Sequence, residues 1–148
     1  MKTSKIAKPL LFLLLIATLT LASCSFSFGD KPVDADTLWA GATYKEDTEL
    51  GTGATLFYLE VRADDKSVTF TIRTDETTVG AALIALDLVQ GETSAYGLYV
   101  KTVNGMTADY DADTSWWGFY QNGEMLMTGV DSTAIEPGAH YELVRNVG

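Results

Sequence analysis

Two neighbouring runs of alternating apolar and polar residues constrain the fold of this chain most strongly. They are Leu56-Phe-Tyr-Leu-Glu-Val-Arg62 and Ser67-Val-Thr-Phe-Thr-Ile-Arg73, and the stretch Ala-Asp-Asp-Lys separates them. Successive side chains of a strand point to opposite faces, so such alternation indicates one buried and one exposed face. The two runs therefore predict a β-hairpin that contributes one face to the core.

One helix is predicted directly after this hairpin. Its apolar residues recur at spacings of three and four, as an amphipathic helix requires: Val79, Leu83, Leu86 and Val89, or alternatively Ala82. Thr77 or Thr78 is the expected N-cap, because a hydroxyl oxygen there can accept a hydrogen bond from a free backbone N–H. Gly91 is the expected C-cap.

The rest of the chain is strand-like. The predicted strands are 98–103, 116–121, 124–127 and 141–145, with turns at Asn104-Gly105, Asn122-Gly123 and Pro137-Gly138. Residues 33–55 predict a short edge strand and a loop. This order predicts an α+β fold, with a β-grasp-like mixed sheet and one main helix packed on one face.

The predicted strand at 116–121 carries aromatic residues on both faces. Trp117 and Phe119 are expected in the core under the helix, so Trp116 and Tyr120 point the other way. Gly118 lies between these last two and is expected to leave a shallow notch between two ring edges.

Two interpretations of this second aromatic face remain open. It can be a platform that binds a ligand or partner, since aromatic rings offer apolar area beside backbone polar groups. Alternatively, Trp39 and Tyr44 fold over it and bury it.

The N-terminus has the composition of a secretory leader. Three lysines precede the apolar run 9–21, which ends in Leu21-Ala-Ser-Cys24 and is too short to span a membrane. The tetrad resembles the lipobox of bacterial lipoproteins. This resemblance implies cleavage before Cys24, a lipid such as palmitate on that residue, and a location on the extracytoplasmic face of the cell membrane.

The predicted organisation is therefore a lipoprotein signal peptide at 1–23, a tether at 24–35 and one domain at 36–148. Removal of the three leader lysines from the 10 basic residues leaves 7 against 20 acidic ones, a net charge of −13. Nucleic acid is not expected as a partner, because phosphate binding needs clustered lysine and arginine. The single cysteine excludes an internal disulfide.

No catalytic or metal site is predicted. The run Asp109-Tyr-Asp-Ala-Asp113 starts like a calcium loop, but Thr114 and Tyr120 stand where such a loop needs Gly and Glu. His140 has no second histidine or cysteine beside it in a ligand pattern. A Gly-x-Ser-x-Gly motif is absent from the sequence, and we expect no enzyme activity.

Four ordered motifs resemble the C-terminal domain of transcobalamin and intrinsic factor and the bacterial DUF4430-type lipoproteins. They are Tyr96-Gly-Leu-Tyr-Val-Lys-Thr-Val-Asn-Gly105, Trp117-Gly-Phe-Tyr-Gln-Asn-Gly123, Gly129-Val-Asp131 and Pro137-Gly138. The resemblance implies cobalamin or a related corrinoid as ligand, and no intrinsic cofactor. The implied contacts are Tyr96, Gly97, Leu98, Tyr99, Trp117, Gly118, Phe119 and Tyr120, and the aromatic face adds Trp116.

In those vitamin carriers a helical domain supplies the other half of the site, and this chain has no room for it. The resemblance therefore implies a half-site that a membrane transporter or second protein completes. The expected function is a membrane-anchored protein that binds a corrinoid and delivers it for uptake. The alternative is a surface module that recognises a protein or glycan through its aromatic face and has no small-molecule ligand.

Overall fold

The computed structural model describes residues 34–148. Their helices are α1 (Ala35–Ala40), α2 (Val79–Ala85) and α3 (Tyr110–Asp113), and a 3₁₀ turn spans Val130–Ser132. Their strands are β1 (Thr48–Leu50), β2 (Thr55–Ala63), β3 (Lys66–Thr74), β4 (Val89–Ser94), β5 (Gly97–Val103), β6 (Met106–Thr107), β7 (Ser115–Gln121), β8 (Glu124–Met125) and β9 (His140–Val147). The predicted signal peptide, Cys24 and positions 24–33 of the predicted tether lie outside the described residues.

The predicted hairpin is confirmed. Strands β2 and β3 pair antiparallel along their whole length, from Thr55 opposite Thr74 to Ala63 opposite Lys66. Asp64 turns the chain with a φ of 55°, a left-handed conformation that aspartate adopts more readily than most residues. Each strand thus extends one residue further toward the turn than the alternation indicates, to Ala63 in β2 and Lys66 in β3.

The main sheet is mixed, as predicted. Its strand order is β1-β3-β2-β9-β7-β8. The pairs β1–β3 and β2–β9 are parallel, and the other pairs are antiparallel. The edge strand predicted within residues 33–55 is β1. The same stretch also holds α1, which was not predicted, and the Asp34 side chain caps it by accepting from the Asp36 N–H.

Helix α2 has the predicted N-cap but is shorter than expected. The Thr78 hydroxyl accepts a hydrogen bond from the Ala81 N–H, and the helix ends at Ala85. Asp87 has a φ of 55°, and the Leu88 N–H donates to the Leu83 carbonyl oxygen, which closes the helix there. The prediction of Gly91 as the C-cap is therefore wrong, because Gly91 lies within β4 beside a bulge.

A second, three-stranded sheet has the order β4-β5-β6. Strand β4 was not predicted from the sequence; five of its six residues are exposed, so it shows no alternation. Asn104 and Gly105 form the predicted turn between β5 and β6, both at positive φ. Asn122 and Gly123 form the predicted turn between β7 and β8, and both of these residues also have a positive φ.

The described residues share one hydrophobic core. It joins the inner face of the main sheet to helix α2, whose Val79 and Leu83 are fully buried. From the sheet the core takes the odd-numbered residues of β2, β7 and β9, including Phe57, Leu59, Trp117, Phe119, Tyr141 and Leu143. The predicted α+β architecture with a helix on one sheet face is thereby confirmed. Within residues 34–148, the helices are too short and too polar to cross a membrane.

Candidate functional site

Strand β7 divides its aromatic residues between two faces of the main sheet. Trp117 and Phe119 lie in the core, each 8% exposed, as the alternation predicted. The indole N–H of Trp117 donates to the Lys101 carbonyl oxygen of β5 at 3.2 Å. The ring of Phe119 stacks on Tyr141 with centroids 5.7 Å apart. Of these two predicted ligand contacts, Trp117 therefore links the two sheets and Phe119 packs within the main sheet.

Trp116 and Tyr120 point to the opposite face and are partly exposed. This face consists of the even-numbered side chains of β2, β7 and β9 together with the odd-numbered ones of β3, and we call it the outer sheet face. None of the helices described in residues 34–148 contributes buried residues to it.

The expected notch at Gly118 is filled, so that prediction is wrong. A Cβ atom at Gly118 would lie 2.7 Å from Cε2 of the Tyr120 ring and 2.7 Å from Nδ2 of Asn146. The ring of Tyr120 thus lies over Gly118, and the Asn146 amide donates to its hydroxyl at 3.3 Å. Gly118 itself is buried. The glycine leaves room for a ring of its own strand rather than for a ligand.

The interpretation that Trp39 and Tyr44 cover the outer sheet face is also wrong. Trp39 is buried, and its indole N–H donates to the Ala63 carbonyl oxygen at 3.1 Å. Tyr44 packs edge-on against Phe70, with ring centroids 5.5 Å apart. Because Ala63 and Phe70 belong to the core, both early aromatics pack on the inner face of the sheet.

The tip of the β4–β5 hairpin carries the other predicted contacts. The Ser94 hydroxyl donates to the Gly97 carbonyl oxygen at 2.7 Å and accepts from the Tyr96 N–H at 3.2 Å, which closes the turn. The Tyr96 side chain is 96% exposed and Tyr99 is 42% exposed. Leu98 is partly buried and packs against the core.

A second loop meets this tip and adds an exposed side chain that sequence reasoning missed. The Asp131 carboxylate lies against two glycines: Oδ1 would be 2.8 Å from a Cβ at Gly97 and 2.9 Å from one at Gly129. Gly97 also has a φ of +104°, so glycine is the residue that fits. Met127, two residues before Gly129, is 98% exposed. We call Tyr96 and Met127 the tip patch.

The predicted site residues therefore do not form one surface. Trp117 and Phe119 are core residues, Trp116 and Tyr120 lie on the outer sheet face, and the Tyr96–Tyr99 segment joins the side of the sheet that carries Trp117. Sequence reasoning missed Met127 because it lay within the predicted strand 124–127, whereas β8 ends at Met125 and leaves Met127 in a loop. The contact of this loop with Gly97 depends on the tertiary position of Asp131.

The acidic run 109–113 has a structural role. It forms α3, in which the Asp109 side chain accepts from the Asp111 N–H. Asp113 is buried and pairs with Arg145 at 2.7 Å, and it also accepts from the backbone and hydroxyl of Ser115. Across residues 34–148, we find no group of three or more His, Cys, Asp or Glu side chains that could hold a metal ion.

Two open clefts lie away from the predicted contacts. The larger, about 560 Å³, is lined by Trp39, Lys45, Asp65, Lys66, Ser67 and Val68. The second, about 320 Å³, lies between β3 and α2 and is lined by Arg73, Glu76 and Leu86 among others. Lys66, which lines the larger cleft, forms an ion pair with Asp36, and this hydrogen bond lowers the pKa of Asp36.

Comparison with known proteins identifies the family. The model of the domain of unknown function DUF4430 matches residues 76–140, which include the β4–β5 hairpin and strand β7. A crystal structure of "a putative metal binding protein" from Ruminococcus gnavus ATCC 29149, at 1.30 Å resolution, is 32% identical with a TM-score of 0.61. The similarity covers 64% of this chain and 99% of that one. The chain belongs to the DUF4430 family, and the predicted resemblance to DUF4430-type proteins is confirmed.

The fold also resembles that of haptocorrin in complex with Cbi, at 18% identity and a TM-score of 0.49. The match covers 66% of this chain and 26% of haptocorrin, so the chain spans about a quarter of that protein. No curated protein matches the chain.

Proposed function

We propose that this protein is a lipid-anchored, extracytoplasmic binding protein whose tip patch takes a corrinoid and presents it for uptake. The observation that carries the proposal is the exposure of Tyr96 and Met127, at 96% and 98%, on two loops that Asp131 holds together. Large apolar side chains that are exposed on loops in contact with each other are candidates for a binding surface.

The chemistry of the patch suits a large ring system with an apolar body and polar rim. A tyrosine offers a flat apolar face and a hydroxyl, and a methionine thioether adapts its shape to an irregular surface. Tyr99 adds a partly exposed ring on the same hairpin. The motifs at 96–105 and 117–123, which resemble those of the vitamin carriers, favour a corrinoid within this class.

A metal ion alone is not part of the proposal. The Ruminococcus gnavus protein is described as metal binding, but the described part of this chain brings together no set of three metal-ligating side chains. A zinc site takes three or four such side chains from the protein. The proposal likewise includes no catalytic step.

The patch is a surface rather than an enclosed pocket, so it can desolvate only one side of a ligand. We therefore propose that a membrane transporter or a second protein covers the other side, and that the lipid on Cys24 keeps the protein beside that partner. Binding by the protein alone is expected to be weaker than binding by the assembled pair, because burial of apolar area drives association.

Titration of the full-length protein in detergent with cyanocobalamin and cobinamide, followed by calorimetry and absorbance, tests the proposal. Tyr96→Ala and Met127→Ala should each weaken binding about tenfold, a loss of about 1–2 kcal/mol that is typical of contacts that matter. Tyr110→Ala is the matched control, since Tyr110 is an exposed tyrosine on α3 outside the patch.

Absence of corrinoid binding at millimolar ligand, with and without a candidate transporter, would overturn the proposal. If the Tyr96→Ala, Met127→Ala double variant then loses adhesion to a protein, the tip patch is the contact of an interaction module instead.

A further inference from the structure

The outer sheet face holds a second set of aromatic side chains that the tip patch does not use. It spans five strands of the main sheet from β1 to β7, which corresponds to about 19 Å at the usual strand spacing. From this face we propose a second binding site, whose ligand is an uncharged glycan.

The aromatic rings of the outer sheet face are held in fixed positions. Tyr120 lies over Gly118 instead of standing upright on the sheet, and Asn146 fixes its hydroxyl. Tyr58 and His140, on neighbouring strands, stack in parallel with centroids 4.5 Å apart and an interplanar angle of 13°. Rings held in this way offer fixed apolar areas, and the C–H faces of sugar rings match such areas in shape and polarity.

Charged side chains lie between these rings. Glu60 accepts hydrogen bonds from Arg62 at 2.8 and 3.1 Å, and the same guanidinium lies 3.8 Å from Glu142. Glu142 also accepts from the Gly123 N–H at 2.8 Å. The hydrogen bond to Glu60 raises the pKa of Arg62. These carboxylates are held in place yet keep free lone pairs, so they can accept hydrogen bonds from sugar hydroxyls without first becoming ordered.

The outer sheet face is close to neutral in charge. The residues on this face include three acidic ones, Glu49, Glu60 and Glu142. They also include two basic ones, Arg62 and Arg73, so the net charge of the face is 2 − 3 = −1. Residues 34–148 as a whole have 6 basic and 19 acidic side chains, a net charge of −13. A cationic protein would be attracted to the rest of the surface, and a polyanion would be repelled by it. A neutral, hydroxyl-rich ligand is the class that a near-neutral aromatic face fits best.

The test uses the full-length protein in detergent and a set of neutral hexasaccharides: cellohexaose, maltohexaose, chitohexaose and mannohexaose. Trp116 lies on the outer sheet face, whereas the other two tryptophans, Trp39 and Trp117, are buried. We expect at least one sugar to change the tryptophan emission at millimolar concentration or below. Trp116→Phe should remove most of this response while calorimetry still detects binding, because a ring remains.

Two variants locate the site on the outer sheet face. Tyr120→Ala should weaken binding at least tenfold, because a stacking ring is lost. Gly118→Ala should also weaken it, because the new methyl group displaces the Tyr120 ring. The atoms it would meet are at the far ends of flexible side chains, so the fold should survive even if Tyr120→Ala does not.

Tyr96→Ala with Met127→Ala is the control that separates this site from the tip patch, and it should leave sugar affinity unchanged. The proposal is overturned if no hexasaccharide binds. It is equally overturned if a folded Gly118→Ala variant binds sugar as the unaltered protein does, or if the tip-patch variant abolishes sugar binding.

Discussion

The buried ion pair between Asp113 and Arg145 gives the sharpest stability prediction. Arg145 Nη2 donates to Asp113 Oδ2 at 2.7 Å, and the two side chains are 1% and 10% exposed. At an effective dielectric constant of 20, charges this close attract by about 4 kcal/mol or more. Asp113→Ala removes that attraction and leaves a guanidinium buried without its partner, so it should lower the free energy of unfolding by about 3–5 kcal/mol.

The measurement is urea unfolding followed by circular dichroism, with Asp111→Ala as the control. Asp111 is an exposed acid on the same short helix, and its loss should change stability by less than about 0.5 kcal/mol. The double variant Asp113→Ala, Arg145→Met should be more stable than Asp113→Ala alone, because the stranded buried charge is gone. The reasoning fails if Asp113→Ala costs no more than the control, or if adding Arg145→Met destabilises the protein further.

Three further outcomes are expected. Trp117→Ala and Phe70→Ala should each cost about 3–5 kcal/mol in urea unfolding, as truncations of buried rings do, and unchanged melting temperatures would contradict the assignment of the inner face. Cys24→Ala should abolish lipidation and leave the precursor uncleaved or released into the medium. A variant that is still processed and still bound to the membrane would exclude a lipid anchor on Cys24. The Lys66 hydrogen bond lowers the pKa of Asp36, so this pair stabilises the fold fully above the ordinary pKa of 3.8 and loses that effect as the pH falls through the lowered pKa. Lys66→Met should therefore flatten the loss of stability as the pH falls below 3.8.

Local patterns predicted those parts of the fold that local physics determines. The alternation in β2 and β3 and the Asn-Gly turns each depend on side chains within a few residues, and they were located correctly. The inward position of Trp117 and Phe119 also followed from alternation once a helix was placed over one face. The end of α2 was misplaced because Asp87, rather than Gly91, adopts the left-handed conformation.

The candidate site depended on contacts that alternation cannot reveal. Tyr96 and Met127 are 31 positions apart, and Asp131 brings their loops together by lying against two glycines. One of the two interpretations left open by the sequence placed Trp39 on the wrong side of the sheet, since nothing local to α1 indicates that its indole reaches the Ala63 carbonyl oxygen. Long-range packing thus decided which predicted contacts share a surface.

Gly118 shows how one strand can serve both the core and a surface. Glycine in a strand interior costs about 0.5–1 kcal/mol relative to alanine, because the unfolded chain has more conformations to lose. The core gains nothing from it, since position 118 points away from the core between two buried neighbours, Trp117 and Phe119. What the missing side chain permits is the position of the Tyr120 ring over the strand and the hydrogen bond from Asn146 to its hydroxyl. A strand that only completed the sheet would be more stable with alanine here, so the glycine is best explained by the arrangement of the outer sheet face.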